Sequence, residues 1–175
     1  MQNYRISKYD PMYRDKQGIY TLDEWTSWSD IGKVYQGRTF TKDNYLKTES
    51  LYCDVIYEIL SRQGVRTLEV RDLESPLSLP ETSRFLSEES LQLTEEECHI
   101  IQIIQENQQV SIEKIKVYVK LLLRDCFWCI LADTESDARV SVGYDYYVHL
   151  TCDTLDQAQI DACEKLGIYM EVVRI

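Results

Sequence analysis

A chain of 175 residues with 30 Asp+Glu against 19 Lys+Arg, a formal net charge of −11, is long enough to bury one continuous core without disulfides or a structural metal. With 44% hydrophobic residues, 6 Gly and 3 Pro, its composition excludes low-complexity disorder. The sign of its charge opposes approach to nucleic acid or to an anionic membrane surface.

One domain over residues 1–175 is therefore expected. The opening Met1-Gln2-Asn3-Tyr4-Arg5-Ile6 has no basic stretch leading into an apolar segment, and no apolar run reaches bilayer length. The expectation is a cytoplasmic protein whose six cysteines are reduced thiols buried as small hydrophobes. The charge is lopsided: residues 1–70 hold 10 Lys+Arg and 10 Asp+Glu, whereas residues 71–175 hold 9 and 20.

In chain order, Tyr4–Tyr9 alternates as a first strand that Pro11 ends. Met12–Gly37 carries loop punctuation yet also Tyr13, Tyr20, Trp25, Trp28 and Tyr35, which predicts an ordered loop with a short helix near Ser29–Tyr35. Thr41 caps a helix running to about Arg62, with Asn44 in place of the Glu or Gln of a full capping box and Gly64 as its stop. Its buried stripe is Tyr45, Tyr52, Ile56, Ile59 and Leu60. Val65–Leu73 alternates as a second strand. Ser75–Gln92, with Pro76 and Pro80, is expected to be a mobile connection holding a short helix around Glu81–Leu86.

Thr94 with Glu97 forms a capping box for a helix from Glu95 to about Asn107. Ser111 opens another, burying Ile112, Ile115, Val119, Leu122 and Leu123. Phe127–Asp133 and Arg139–Thr151 read as two strands joined by the turn Thr134-Glu135-Ser136-Asp137. Thr154 caps a helix over Leu155–Leu166, Gly167 ends it, and Ile168–Arg174 supplies a last strand. The predicted fold class is α+β: a mixed, mainly antiparallel sheet of about four or five strands with helices packed on it and a C-terminal ββαβ unit.

Few motifs carry chemistry. Cys126-Phe-Trp-Cys129 leaves a helix and enters a strand, where residues three apart face opposite ways, so neither a thioredoxin-like pair nor half a zinc site is expected. His149-Leu-Thr-Cys152 and Cys98-His99 have unspecific spacing and stronger structural readings. The glycines never form a phosphate-binding loop. Carboxylates are so abundant that no pair stands out, so no catalytic residue, metal or cofactor is assigned.

Gly143-Tyr-Asp-Tyr-Tyr147 is the most suggestive stretch. As a strand it would present Tyr144 and Tyr146 on one face and Asp145, Tyr147 and His149 on the other. Tyrosine beside carboxylates suits an interface with a cationic partner, although 13 tyrosines in a chain of 3 Phe also suggest that many do core work. The expected partner-binding set is Asp133, Glu135, Asp137, Tyr144, Asp145, Tyr146, Tyr147, Asp153 and Asp156.

The segments Tyr4-Arg-Ile-Ser-Lys-Tyr-Asp10, Asp23-Glu-Trp-Thr-Ser-Trp-Ser-Asp-Ile-Gly32 and Gly143-Tyr-Asp-Tyr-Tyr147 resemble a family of small uncharacterised bacterial proteins, a likeness that transfers no catalytic residue. In type, the chain is similar to immunity proteins that neutralise bacterial toxins, many of them basic nucleases. That likeness implies a protein partner, a basic toxin domain, bound through the acidic, tyrosine-bearing surface. Two other readings stay open: a small enzyme using carboxylates with Tyr or His, and a self-associating structural or regulatory subunit.

Overall fold

The structure, a computed structural model, describes residues 1–75 and 77–173. Pro76 in the predicted connection and Arg174 in the predicted last strand lie outside the described residues.

Strand β1 (Gln2–Ser7) opens the chain, and a long loop follows, carrying short 3-10 turns at Pro11–Tyr13 and Trp28–Asp30. A small hairpin, β2 (Val34–Tyr35) and β3 (Arg38–Thr39), closes it, so the short helix predicted near Ser29–Tyr35 is present only as the 3-10 turn Trp28–Asp30 and gives way to a strand at Val34. The 21-residue helix α1 (Lys42–Arg62) begins at Thr41, whose hydroxyl accepts from the Asn44 N–H while the Asn44 amide oxygen accepts from the Thr41 N–H. Asparagine thus completes the reciprocal box that was expected to need Glu or Gln.

Beyond it come β4 (Thr67–Glu74), α2 (Leu79–Glu88), α3 (Glu95–Ile103), β5 (Gln109–Ser111) and α4 (Ile115–Leu123). The span read as a mobile connection holds the helix predicted around Glu81–Leu86, extended to ten residues. The chain continues through β6 (Trp128–Asp133), β7 (Arg139–Val142), β8 (Val148–Cys152), α5 (Gln157–Lys165) and β9 (Tyr169–Val172). Asp156, not Thr154, caps α5, its carboxylate accepting from the Gln159 N–H at 2.8 Å.

The fold is α+β, as predicted, but the main sheet has seven strands, in the order β5-β4-β6-β7-β8-β1-β9, and every pairing in it is antiparallel. Two differences account for the extra strands. Residues 139–151 form two strands rather than one, and Gln109–Ser111 pairs with β4 as a short edge that carries too few residues to show alternation.

One face of the sheet is buried. Ile6, Leu68, Val70, Cys129, Leu131, Val140, Val148 and Leu150 share a continuous core with Tyr52, Ile56 and Leu60 of α1 and Ile115, Val119 and Leu122 of α4. The other face is polar, with Asn3, Arg5, Arg139, Ser141, His149 and Thr151 partly or fully exposed. A sheet built from hairpins can leave one side wet because each strand alternates apolar and polar positions. Among the described residues no helix is long and apolar enough to cross a membrane.

Two part-buried carboxylates are held below their usual range by the fold. Burial alone would raise Asp30, but Lys33 at 2.6 Å and the Thr26 N–H at 2.8 Å outweigh it and lower its pKa. Glu97 is also opposed by burial and lowered by Lys120 and the Thr94 N–H. A carboxylate with a depressed folded pKa stabilises fully above its ordinary value, here 3.8 and 4.5, and loses that contribution as the pH falls through the folded value. Chemical denaturation across pH 2–7 is expected to show a plateau above about pH 5 and a decline below it. In the D30N/E97Q variant the acid-side decline should be shallower, and an unchanged slope would contradict this assignment.

Candidate functional site

Residues 143–147, predicted to be extended, form a tight turn between β7 and β8. The Gly143 N–H donates to the Tyr147 carbonyl at 2.8 Å, and Asp145 (φ 56°) and Tyr146 (φ 63°) are left-handed. Local alternation could not show this, because tyrosine favours strands by propensity and a left-handed tyrosine is uncommon.

Long-range contacts hold the turn. The Tyr146 ring is buried, packed edge-on to Trp25, Tyr45 and Tyr52 at centroid distances of 4.9, 6.0 and 5.1 Å. The Tyr52 hydroxyl donates to the Tyr146 carbonyl at 3.2 Å and accepts from the Lys8 N–H at 2.6 Å, and the Tyr9 hydroxyl donates to the Asp145 carbonyl at 2.7 Å. Replacing Tyr52 with Phe strands a part-buried N–H and a buried carbonyl, so urea denaturation should report a loss of about 1–3 kcal/mol. A loss below about 0.5 kcal/mol would mean that the turn is held by ring packing alone.

The predicted partner-binding residues consequently scatter. Tyr144 projects from the turn and is 93% exposed, with Asp145 exposed beside it. Tyr146 is 4% exposed and cannot meet a partner, a correction to the strand reading that placed it next to Tyr144. Tyr147 is half-buried: both Arg14 Nη atoms donate to its hydroxyl at 3.3 Å, and the Arg5 guanidinium lies 5.0 Å from its ring centroid. Arg5 and Arg14 are bound in turn by Glu171 at 3.0 and 2.8 Å, so Tyr147 serves to dock the long loop.

The carboxylates Asp133, Glu135, Asp137, Asp153 and Asp156 lie at the opposite end of the sheet. Strand β7 separates the 134–138 turn from the 143–147 turn, roughly 13 Å of extended chain. The single carboxylate-and-tyrosine surface implied by proximity in sequence does not form. Even within the acidic end the groups differ. Asp133 is buried and accepts from the Ser136 hydroxyl, and Asp156 is committed to capping α5. Glu135 and Asp153 share a hollow of about 210 Å³ with Gln63, and Asp137 lines a neighbouring one with Arg71 and Arg139.

At the Tyr144 end, residues the sequence had not singled out converge. A groove of about 470 Å³ is lined by Tyr144, Trp128, Glu74, Asp125, Ser141 and His149, among others, and an adjoining hollow of about 210 Å³ shares Tyr144 and Asp125 and adds Asp145, Thr26 and Ser27. Trp128 stands opposite Glu74 in the β4–β6 register and donates its indole N–H to the Val142 carbonyl at 2.6 Å, yet its ring remains 37% exposed.

Asp125 follows α4 in a left-handed conformation (φ 55°), where the Cys126 N–H reaches back to the Leu121 carbonyl and glycine is the common occupant. Solvent reaches its side chain, but the walls of the groove exclude bulk water and raise its carboxyl, an effect the hydrogen bond from Trp28 Nε1 at 3.0 Å partly offsets. His149 lies against Gly143 so closely that a Cβ at 143 would fall 2.8 Å from its Nε2. Partial burial of the ring, then the Arg5 charge, lowers its pKa and so favours the neutral imidazole.

A signal for part of this site was present in the sequence. An aspartate stands at the helix stop after Arg124 where glycine is usual, and Cys126-Phe-Trp-Cys129 contains an exposed tryptophan as well as its two thiols. Those thiols are buried, and burial pushes Cys126 and Cys129 up to about 12, which suits inert core packing. All six cysteines are free, and among the described residues no group of three or more His, Cys, Asp or Glu side chains is placed to hold a metal.

Fold and groove together define a two-layer α+β protein with one wet sheet face, whose end carries exposed aromatic rings among carboxylates. No family model, curated protein or solved structure matches the chain.

Proposed function

We propose that this chain is an immunity-type protein that binds and neutralises a cognate basic bacterial toxin domain, docking through the Tyr144 end of its sheet. The observation that carries this reading is the Tyr144 ring, 93% exposed on a turn whose neighbours are pinned by Tyr9, Tyr52 and the core packing of Tyr146. A large aromatic surface on a fixed backbone loses little entropy when a partner covers it, which is the property of a binding anchor. The carboxylates around it favour a cationic counterpart, and the net charge of −11 speeds encounter with a basic protein at low salt.

The distant acidic end, with Glu135, Asp137 and Asp153, adds to that long-range field without sharing the contact. Co-expression with the product of the neighbouring upstream reading frame tests the proposal. Copurification of the two chains and rescue of growth from that product are expected. A neighbour that is harmless and does not bind would remove the idea.

A further inference from the structure

The groove beside Tyr144 restricts the chemistry of what enters it. Its aromatic members are Trp128, fixed by its hydrogen bond to Val142, and Tyr144, held out by the turn. Its charged members are Glu74 and Asp125, with Asp145 at the margin in the adjoining hollow. No Lys or Arg lines either space, and among the described residues none pairs with Glu74, Asp125 or Asp145.

Of the cations on or beside this sheet face, Arg139 lies at the opposite end, where it donates to the Thr151 hydroxyl and shares a hollow with Asp137, and the others are ion-paired. Arg5 and Arg14 are held by Glu171, and Arg71 by Glu69 at 2.9 Å. His149, the remaining basic group in the groove, is biased towards its neutral form by partial burial and by Arg5. The result is a concave site of aromatic rings and unpaired carboxylates that its own chain leaves without a counter-charge.

We propose that this groove receives a single arginine side chain of a basic protein partner, its guanidinium plane against the Trp128 and Tyr144 rings and its N–H groups on Glu74 and Asp125. Arginine fits better than lysine for two reasons. A planar guanidinium stacks on aromatic faces and is weakly hydrated, so it gives up less on entering a half-enclosed groove. Its five donors also diverge enough to reach two separate carboxylates, whereas an ammonium is a compact point charge. A nucleic acid is disfavoured as the occupant because its phosphates would be repelled by the same carboxylates.

This assignment deepens the toxin-binding reading and rests on it for the identity of the partner, but it can be tested without a toxin. The probes are acetyl-Gly-Arg-Gly-amide and the matching peptides with lysine or citrulline, titrated into the labelled protein while the indole N–H resonance of Trp128, assigned with W128F, is followed by NMR. The arginine peptide is expected to shift that resonance and saturate in the millimolar range. Lysine should bind at least fivefold more weakly, and neutral citrulline should give no saturable shift.

D125N and E74Q should each weaken arginine binding at least fivefold while leaving the fold intact. Asparagine tolerates the left-handed conformation at 125 and keeps an acceptor for Trp28. Equal responses to arginine and citrulline, or none to arginine, would overturn the assignment. The two proposals fail separately. A toxin captured equally by the wild type and D125N/E74Q, with no response to arginine peptide, removes the groove and keeps the immunity reading. Selective arginine binding by a chain whose neighbour is no toxin does the opposite.

Discussion

Replacing Arg124 with methionine is expected to destabilise the protein by about 3–5 kcal/mol, a large share of the roughly 5–15 kcal/mol that holds a domain together. Arg124 and Glu49 form a two-pronged pair, with Nε and Nη2 each 2.7 Å from a carboxylate oxygen, and their side chains are 2% and 5% exposed. The guanidinium also donates to the Gln92 carbonyl at 3.3 Å, so one residue ties α1, the end of α4 and the segment before α3.

Removing the arginine leaves a buried carboxylate with no counter-charge, which costs far more than the pair contributes over an apolar equivalent. The E49M/R124M variant should therefore recover most of the loss, because no charge is then stranded. Urea denaturation of the two single variants and the double variant measures the cycle. A loss below about 1 kcal/mol in R124M would show that water reaches Glu49 freely.

Tyr144→Ala is expected to act oppositely, on binding and not on the fold. A ring that is 93% exposed contributes almost nothing to the core, so the thermal midpoint should stay within a degree or two of the wild type. Affinity for the copurified partner should fall by about 2 kcal/mol or more, roughly thirtyfold in Kd, as for other central aromatic anchors. Calorimetric titration supplies the affinity and a melting curve supplies the control. If Y144A binds like the wild type while E135Q/D137N/D153N does not, docking lies at the acidic end of the sheet and the Tyr144 groove has another use.

The parts of this fold legible in sequence are those in which a few neighbouring residues decide the outcome. Thr41 with Asn44, and Thr94 with Glu97, mark helix starts because a cap satisfies orphan N–H groups through bonds three residues long. The stripe from Tyr45 to Leu60 is read from a 3.6-residue period alone. The turn at 143–147 was missed because the bonds that enforce it come from Tyr9 and Tyr52, 136 and 94 residues away in the chain. The seven-strand count was missed because pairing, not alternation, makes Gln109–Ser111 a strand.

The candidate site was legible only in the two exposed residues at the tip of its turn. Tyr144 and Asp145 were in the expected set, whereas Trp128, Glu74 and Asp125 enter through the β4–β6 register and the left-handed stop of α4. Tyr144 and Tyr146, two residues apart and identical in chemistry, end at 93% and 4% exposure. Composition and local pattern were sufficient to read a negative α+β chain and the positions of its main helices. Only the tertiary structure decided which tyrosines face water and which carboxylates share a surface, because burial depends on partners distant in sequence and each strand carries the turns at its two ends to opposite ends of the sheet.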